Sequence, residues 1–155
     1  MGKDYYQSKA MEYPTPEMYS IKPGERVLVV GTATPHPNSW AVTVDIDPSS
    51  PAQIRGDGLN LPFADGVFDV VILDFVTNFL PRRDVPRMIK EAQRVGKRVM
   101  GRCHVAANGQ GFTLPGSKQR FVHPNPPDGV EWVEIRMEIP PKSRPRRNRV
   151  RKNKD

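Results

Sequence analysis

The sequence has 155 residues, a single cysteine and a formal net charge of +7. This length fits one domain, and the lone Cys103 excludes an internal disulfide. No zinc-ligand spacing, signal-peptide core or membrane-length apolar run occurs, so we expect a soluble cytoplasmic protein without a metal site or membrane partner.

The positive charge is confined to the C-terminal end of the chain. Residues 140–155, PPKSRPRRNRVRKNKD, contain eight of the 24 basic residues and one of the 17 acidic residues, so residues 1–139 are neutral. A segment of this composition cannot bury enough apolar surface to fold alone. We therefore expect a disordered basic tail, which either keeps the protein in solution or makes non-specific contact with nucleic-acid phosphates.

The first 20 residues mix tyrosine, methionine, proline and charged residues without a clear period. Within this segment, PTPEMYS can begin a short helix with Thr15 as its N-cap and Pro16 at the first helical position. The Pro-Gly pair of IKPGE then predicts a turn before the first strand.

Four apolar segments follow the turn and predict strands. Arg26–Val30 and the stretch GVFDVVILDFV, which begins at Gly66, are apolar on both faces, as in parallel strands covered on both sides. Trp40–Ile46 is the predicted second strand, and Gln53–Gly56 is a short third one. Together they indicate a sheet that is buried on both faces.

A helix is predicted next over RDVPRMIKEAQRVG, with Asp84 as its cap and Gly96 at its end. Three more strands follow, namely KRVMGRCHV, QRFVHP and VEWVEIRMEI, and the last two suggest an antiparallel hairpin at the sheet edge. Strands that alternate with turns and a helix indicate an α/β fold, which we assign to residues 21–139.

Polar or glycine residues follow each of the first four strands. Gly31 follows the first, Asp45 and then Asp47 end the second, Asp57 ends the third, and Asp74 ends the fourth. In open α/β sheets, ligands bind at this carboxyl edge. A glycine there admits a ligand close to the backbone, and an aspartate can accept hydrogen bonds from a ribose diol or an exocyclic amine. Each residue alone is also compatible with a simple turn or cap.

The segment VLVVGTATP…VTVDIDP…IRGDGLNLPFADGVFDVVILDFVTNFLP resembles the class I S-adenosylmethionine-dependent methyltransferases, particularly their methyltransferase-11-like branch. The resemblance implies a Rossmann-like sheet of seven strands with strand seven antiparallel. It also implies that Gly31 lines the methionine part of the cofactor and that Asp45 binds the ribose. Asp57 would accept from the adenine amine, with Gly58 and Leu59 flanking the ring.

The same resemblance places Asp74 and Phe75 in the loop that faces the cofactor sulfur and the substrate. Asp74 is therefore the candidate for a catalytic base, ahead of His36 and His104. Methyl transfer needs mainly positioning and desolvation, so no fixed catalytic motif is required.

The chain departs from the family pattern in its glycine turn and in its length. Val29 stands where the family has an acid, and Ala33 and Pro35 stand where it has glycines. TATPHPNS and PSSPAQ are both too short for the helices that cover one face of the sheet. We therefore expect two helices to be missing, and either residues 1–20 or a second subunit to cover the exposed face.

Two functions fit the sequence. The first is an S-adenosylmethionine-dependent methyltransferase with an unidentified small-molecule or macromolecular acceptor. The second is a catalytically inactive methyltransferase-like binding module whose basic tail attracts nucleic acid. A base-methylating enzyme is disfavoured, because LDFVTN stands where an NPPY-type motif would be.

Overall fold

The computed structural model of the protein describes residues 14–31, 40–78, 80–106, 117–122 and 132–141. Residues 142–155 of the predicted basic tail and residues 1–13 of the N-terminal segment lie outside these ranges.

The described residues form one sheet of seven strands. The strands are β1 (Val27–Val30), β2 (Val42–Asp45), β3 (Ile54–Arg55), β4 (Phe68–Asp74), β5 (Gly96–Ala106), β6 (Ser117–Val122) and β7 (Trp132–Ile139). Their order is β3-β2-β1-β4-β5-β7-β6. Strands β1 to β5 pair in parallel, and β7 is antiparallel to both β5 and β6. The predicted fold class, a mostly parallel sheet with an antiparallel edge pair, is confirmed.

The centre of the sheet is buried on both faces. All four residues of β1 are buried, and the register places Val29 beside Thr43 of β2 and Ile72 of β4. Alternate residues of β1 and β4 therefore enter two separate apolar clusters, one on each face. This is why β1 and the central residues Val70–Leu73 of β4 are apolar on both faces.

A single helix among the described residues, α1 (Val85–Val95), covers the first face. Its buried residues are Val85, Met88, Ala92 and Val95, which recur at helical spacing, and Ile89 beside them is half-buried. Gly96 follows the helix directly and pairs with Phe68 at the start of β4. Because α1 ends at the amino edge of the sheet, its N-terminus lies toward the carboxyl edge.

The two ends of α1 differ in detail from the predicted caps. Asp84 makes no side-chain cap hydrogen bond, and its carboxylate lies 3.6 Å from the Arg87 guanidinium instead. Gly96 has an extended backbone, not the left-handed one of a glycine cap. A Cβ there would lie 2.4 Å from Cγ2 of Val71, so Gly96 is required by the close packing of helix and sheet.

The second face is covered by the chain that precedes β1. Glu17–Tyr19 form a 3-10 turn, in which the Met18 N–H donates to Oγ1 of Thr15 at 3.2 Å. Tyr19 is 1% exposed and packs on Val27, Val29, Val70 and Ile72, with Met18, Ile21, Trp40, Ala41 and Met100 around them. Part of the segment that the sequence predicts as a cover therefore lies on this face.

The connection from β2 to β3 contains no helix, since residues 46–53 form only turns and bends. This agrees with the expected loss of one covering helix. The corresponding connection from β1 to β2 includes residues 32–39, which lie outside the described residues, and so do Ala33, Pro35 and His36. β2 is only about 13 Å long, so a short loop can return the chain from β2 to β3 where a longer strand would need a helix.

None of the described helices is long and apolar enough to cross a membrane.

Candidate functional site

Four parallel strands bring the predicted residues to one edge of the sheet. β1, β2, β3 and β4 lie side by side, and their carboxyl ends are followed by Gly31, Asp45, Asp57 and Asp74. The order β3-β2-β1-β4 places the topological switch point of the sheet at β1 and β4. The candidate site is therefore this carboxyl edge.

Gly31 occupies the tightest point of the edge. Its φ is +85°, and its N–H donates to the Val44 carbonyl at 3.0 Å. A Cβ at this position would lie 2.6 Å from Cβ of Val76 and 3.2 Å from the Asp74 carbonyl oxygen. Both the backbone conformation and the neighbouring β4 loop thus require glycine here.

Asp45 lies half-buried at the end of β2. Its Oδ1 accepts the Asp47 N–H at 2.9 Å, which fixes the carboxylate at the start of the turn. No lysine or arginine among the described residues forms an ion pair with it, and the neighbouring Arg55 donates to the Pro48 carbonyl at 3.2 Å. Asp45 therefore keeps acceptor capacity for a ligand at the edge.

Asp47, the second choice for a ribose contact, is engaged within its own turn. Its Oδ1 accepts from both the N–H and the hydroxyl of Ser49, at 2.9 and 2.8 Å. Asp47 is thus occupied within its turn, and the choice of Asp45 as the diol acceptor stays a prediction.

The third part of the site is the turn that follows β3. Asp57 is exposed, and its Oδ1 accepts the Leu59 N–H at 2.9 Å, so the turn orients the carboxylate. Gly58 is buried against α1, where a Cβ would lie 2.6 Å from Cε of Met88 and 3.2 Å from Cγ1 of Val30. Leu59 is half-buried on the same core. Asp57 is thus presented to solvent while Gly58 and Leu59 anchor the turn.

Residues of α1 hold the rest of this loop in place. Oε1 of Glu91 accepts the Leu61 N–H at 2.8 Å, and Arg94 donates to the carbonyls of Leu61 and Phe63 at 3.1 and 2.8 Å. Arg94 also pairs with Glu91 and with Asp65. The hydrogen bond from Arg94 lowers the pKa of Glu91, and those from Glu91 and Asp65 raise the pKa of Arg94. Hydrogen bonds and ion pairs of Glu91 and Arg94 therefore hold the loop against the helix.

The end of β4 is arranged differently from the prediction. Asp74 is 6% exposed, and both its carboxylate oxygens accept from Arg102 of β5, Oδ1 from Nε and Oδ2 from Nη2 at 3.4 Å. Phe75 is also buried, and Cζ of Arg102 lies 4.4 Å from the centroid of its ring. Both carboxylate oxygens of Asp74 are therefore occupied by Arg102 and shielded from solvent. The role of Asp74 as a base stays a prediction, and this geometry weighs against it.

Sequence reasoning missed two residues of this edge. Ile46, directly after Asp45, is the exposed large hydrophobic residue among the described ones, at 63%. An apolar residue within a polar turn at a strand end is the sequence feature that could have indicated it. The exposed side chain of Ile46 offers a surface on which a flat ring can pack. Arg102 gave no local signal, because its partner Asp74 lies 28 positions earlier on another strand.

Comparison with known proteins agrees with this geometry. Residues 29–99, just under half of the chain, match a family model described as a methyltransferase domain. They include the site residues Gly31, Asp45, Asp57 and Asp74. This region is similar to a methyltransferase domain. Comparison with curated proteins gave no match.

Solved structures share the fold of this chain at low sequence identity. The N-methyltransferase NodS from Bradyrhizobium japonicum is 13% identical, with a TM-score of 0.52 over 76% of this chain and 86% of its own. A possible histamine N-methyltransferase from Thermotoga maritima is 16% identical, with a TM-score of 0.53 over 77% of this chain and 84% of its own. The cyclase SpnF is 13% identical, with a TM-score of 0.53 over 82% of this chain and 78% of its own. The predicted resemblance to a shortened class I methyltransferase is confirmed.

The residues at the edge fit the adenosine side of S-adenosylmethionine, the cofactor that this family implies. The side chains at this edge are suitable. Asp45 can accept hydrogen bonds from ribose hydroxyls, Asp57 can accept one from an amine, and Ile46 can contact a base. The methionine side differs, because Val29 is fully buried against Tyr19 and offers no acceptor. Val29, which stands where the family has an acid, therefore packs in the apolar cluster on the second face.

Proposed function

We propose that the protein is an S-adenosylmethionine-dependent methyltransferase whose acceptor is unidentified. The observation that carries the proposal is the position of Asp45. It is half-buried, oriented by the Asp47 N–H and not paired with a described cation, at the carboxyl edge of a methyltransferase-like domain.

The residues of the chain bind and orient in this proposal, while the bound cofactor supplies an activated methyl group on a sulfonium. Asp45 accepts hydrogen bonds from the ribose, Asp57 accepts from the adenine amine, and Ile46 packs against the ring. Gly31 lets the end of β1 approach the β4 loop closely, at the point where the methionine portion is expected. The chain then contributes mainly alignment and exclusion of water.

A general base is not required for every acceptor. A neutral amine or a thiolate attacks without one, whereas a hydroxyl or a protonated amine needs a proton acceptor. Because Asp74 is committed to Arg102, the structure favours an acceptor of the first kind or a base that the acceptor itself carries.

Calorimetric titration with S-adenosylmethionine and S-adenosylhomocysteine tests this proposal on the wild type, Asp45→Ala and Asp47→Ala. We expect Asp45→Ala to weaken binding by about 1–3 kcal/mol, the scale of lost hydrogen bonds to a charged group. Asp47→Ala should have a smaller effect, because its carboxylate serves Ser49. Absence of binding to the wild type at millimolar ligand would defeat the proposal, and equal losses in both variants would defeat the assignment to Asp45.

A second candidate function is a binding module that retains the cofactor site without catalysis. The observation that favours it is the buried Asp74–Arg102 pair, which occupies the strand end where the family resemblance places sulfur and substrate. The fold neighbour described as a cyclase illustrates that this fold is not tied to methyl transfer. Incubation of cell extract with the methyl-labelled cofactor separates the two, since a module binds it but labels nothing.

We further propose that the protein is cytoplasmic and touches nucleic acid non-specifically through residues 140–155. The exposed Arg82, Arg83, Arg87 and Lys90 add positive charge around the first turns of α1, toward the same edge as the site. Binding to mixed-sequence RNA should weaken steeply with salt and fall on deletion of 140–155. Affinity that ignores either change would remove the electrostatic role.

A further inference from the structure

Arg102 is a buried charge at the candidate site. Its side chain is 3% exposed, and it follows Arg98 and Met100 along one face of β5. An apolar residue in this row would simply extend the cluster that contains Met100. Burial of an ion pair is costly, and well-packed apolar residues are often as stable or more so. The arginine therefore calls for an explanation beyond stability.

Phe75, which contacts Arg102 through both its backbone and its ring, has an unfavourable backbone conformation. Phe75 has a φ of +56°, a left-handed value that residues with a Cβ rarely adopt. Its N–H donates to the Arg102 carbonyl at 2.9 Å, and its ring lies under the Arg102 guanidinium. Such conformations persist where the surroundings fix them, and they cluster at functional sites.

The segment that contacts Arg102, residues 74–76, also packs against Gly31. Asp74 and Val76, on either side of Phe75, supply the atoms that lie within 3.2 Å of the Cβ position of Gly31. A shift of residues 74–76 would therefore change the space beside Gly31, on the side where the methyl donor is expected.

The N-terminal segment reaches the same guanidinium. Nη1 of Arg102 lies 3.8 Å from Sδ of Met18, in the 3-10 turn that covers the second face. The cover that takes the place of the expected helices is thus in contact with the group that fixes the β4 loop.

We infer that Arg102 is a positioning residue for the methyl-donor side of the site, acting through Asp74 and Phe75 on the space beside Gly31. The effect of Arg102 on cofactor binding rests on the proposed function. Without Arg102, residues 74–76 relax from the left-handed turn, and the ligand loses a wall that is fixed before it binds.

The decisive variant removes both charges. Arg102→Met with Asp74→Leu keeps the approximate shapes and leaves no lone buried charge, so we expect it to fold with a thermal midpoint close to that of the wild type. Its dissociation constant for S-adenosylhomocysteine should rise at least tenfold. Arg98→Met is the matched control, because Arg98 lies two residues earlier in the same row and pairs with Glu25 at 3.1 Å. It should change the dissociation constant less than twofold.

A double variant that folds and binds within twofold of the wild type would overturn the inference, and so would an equal loss in Arg98→Met. If the wild type does not bind S-adenosylhomocysteine, the proposed function fails. Amide hydrogen exchange then tests whether Arg102 positions residues 74–76. The amides of Gly31 and Phe75 should then exchange faster in the double variant and not in Arg98→Met. Unchanged exchange at both amides would overturn the positioning role. If the double variant does not fold, Arg102→Lys replaces it in both measurements with the same criteria.

Discussion

Position 31 requires glycine for two reasons, its left-handed backbone and its close neighbours. A comparison with Gly24 separates the two. Gly24 and Gly31 share a φ of +85°, but a Cβ at Gly24 would meet nothing within 4 Å, whereas one at Gly31 would meet Val76 at 2.6 Å. Gly24→Ala should cost about 1–2 kcal/mol of unfolding free energy for the left-handed conformation alone. Gly31→Ala should cost about 1–3 kcal/mol more, from overpacking.

Chemical denaturation of both variants measures this difference. Equal losses in Gly24→Ala and Gly31→Ala would show that the β4 loop yields without cost, and would also weaken the case that residues 74–76 form a fixed wall beside Gly31.

Single residues of the site were predictable when their position followed from strand order. Gly31, Asp45 and Asp57 end consecutive parallel strands, so their common edge follows from the sequence once the strands are recognised. The fate of Asp74 did not follow, because its partner Arg102 lies on another strand and is next to it only through the register of β4 and β5. Ile46 was overlooked because exposure depends on how the turn folds, which composition does not reveal.

At the scale of elements, α1 and the loop after β3 are joined by a carboxylate whose pKa is lowered by folding. Glu91 is hydrogen-bonded by Arg94 and accepts the Leu61 N–H. A carboxyl with a lowered pKa adds stability above its unfolded pKa of about 4.3, and this contribution is lost as the pH falls through that value toward the folded pKa. Glu91→Gln should therefore cost about 1–2 kcal/mol near pH 7 and progressively less below about pH 4.

Thermal unfolding of wild type and Glu91→Gln between pH 7 and pH 3 checks this expectation. Glu17→Gln is the control, since Glu17 is exposed in the 3-10 turn. The pKa of Asp69 is also lowered, chiefly by Arg26 and further by Lys97, so both proteins retain some acid sensitivity. A gap between wild type and Glu91→Gln that stays constant with pH would contradict the ionic role of Glu91.

Element boundaries show which local signals are reliable. Strand β4 and helix α1 were predicted nearly to their ends, because long apolar patterns report burial directly. The end of α1 was placed correctly at Gly96 but for a different reason. The sequence suggested a left-handed cap, whereas the glycine is needed because β5 begins at once and Val71 lies against it. That contact is tertiary, so no local rule could reveal it.

For the whole molecule, the two faces of one sheet are covered by unlike structures. A helix covers the first face, and a short 3-10 turn with flanking apolar residues covers the second. These two covers explain how a methyltransferase-like sheet of seven strands can be buried on both faces without a helix between β2 and β3. Among the described residues, the second face depends on few side chains, of which Tyr19 is the largest that is fully buried.

Tyr19→Ala should therefore destabilise the protein by about 3–5 kcal/mol, the range for truncating a buried aromatic residue. Glu17→Ala, two positions earlier and exposed, should change stability by less than about 0.5 kcal/mol. Deletion of residues 1–20 should go further and cause self-association, because Val27, Val29, Val70 and Ile72 would then face water. Sedimentation of this deletion decides the point. A monomer as stable as the full chain would show that the second face needs no cover from this segment.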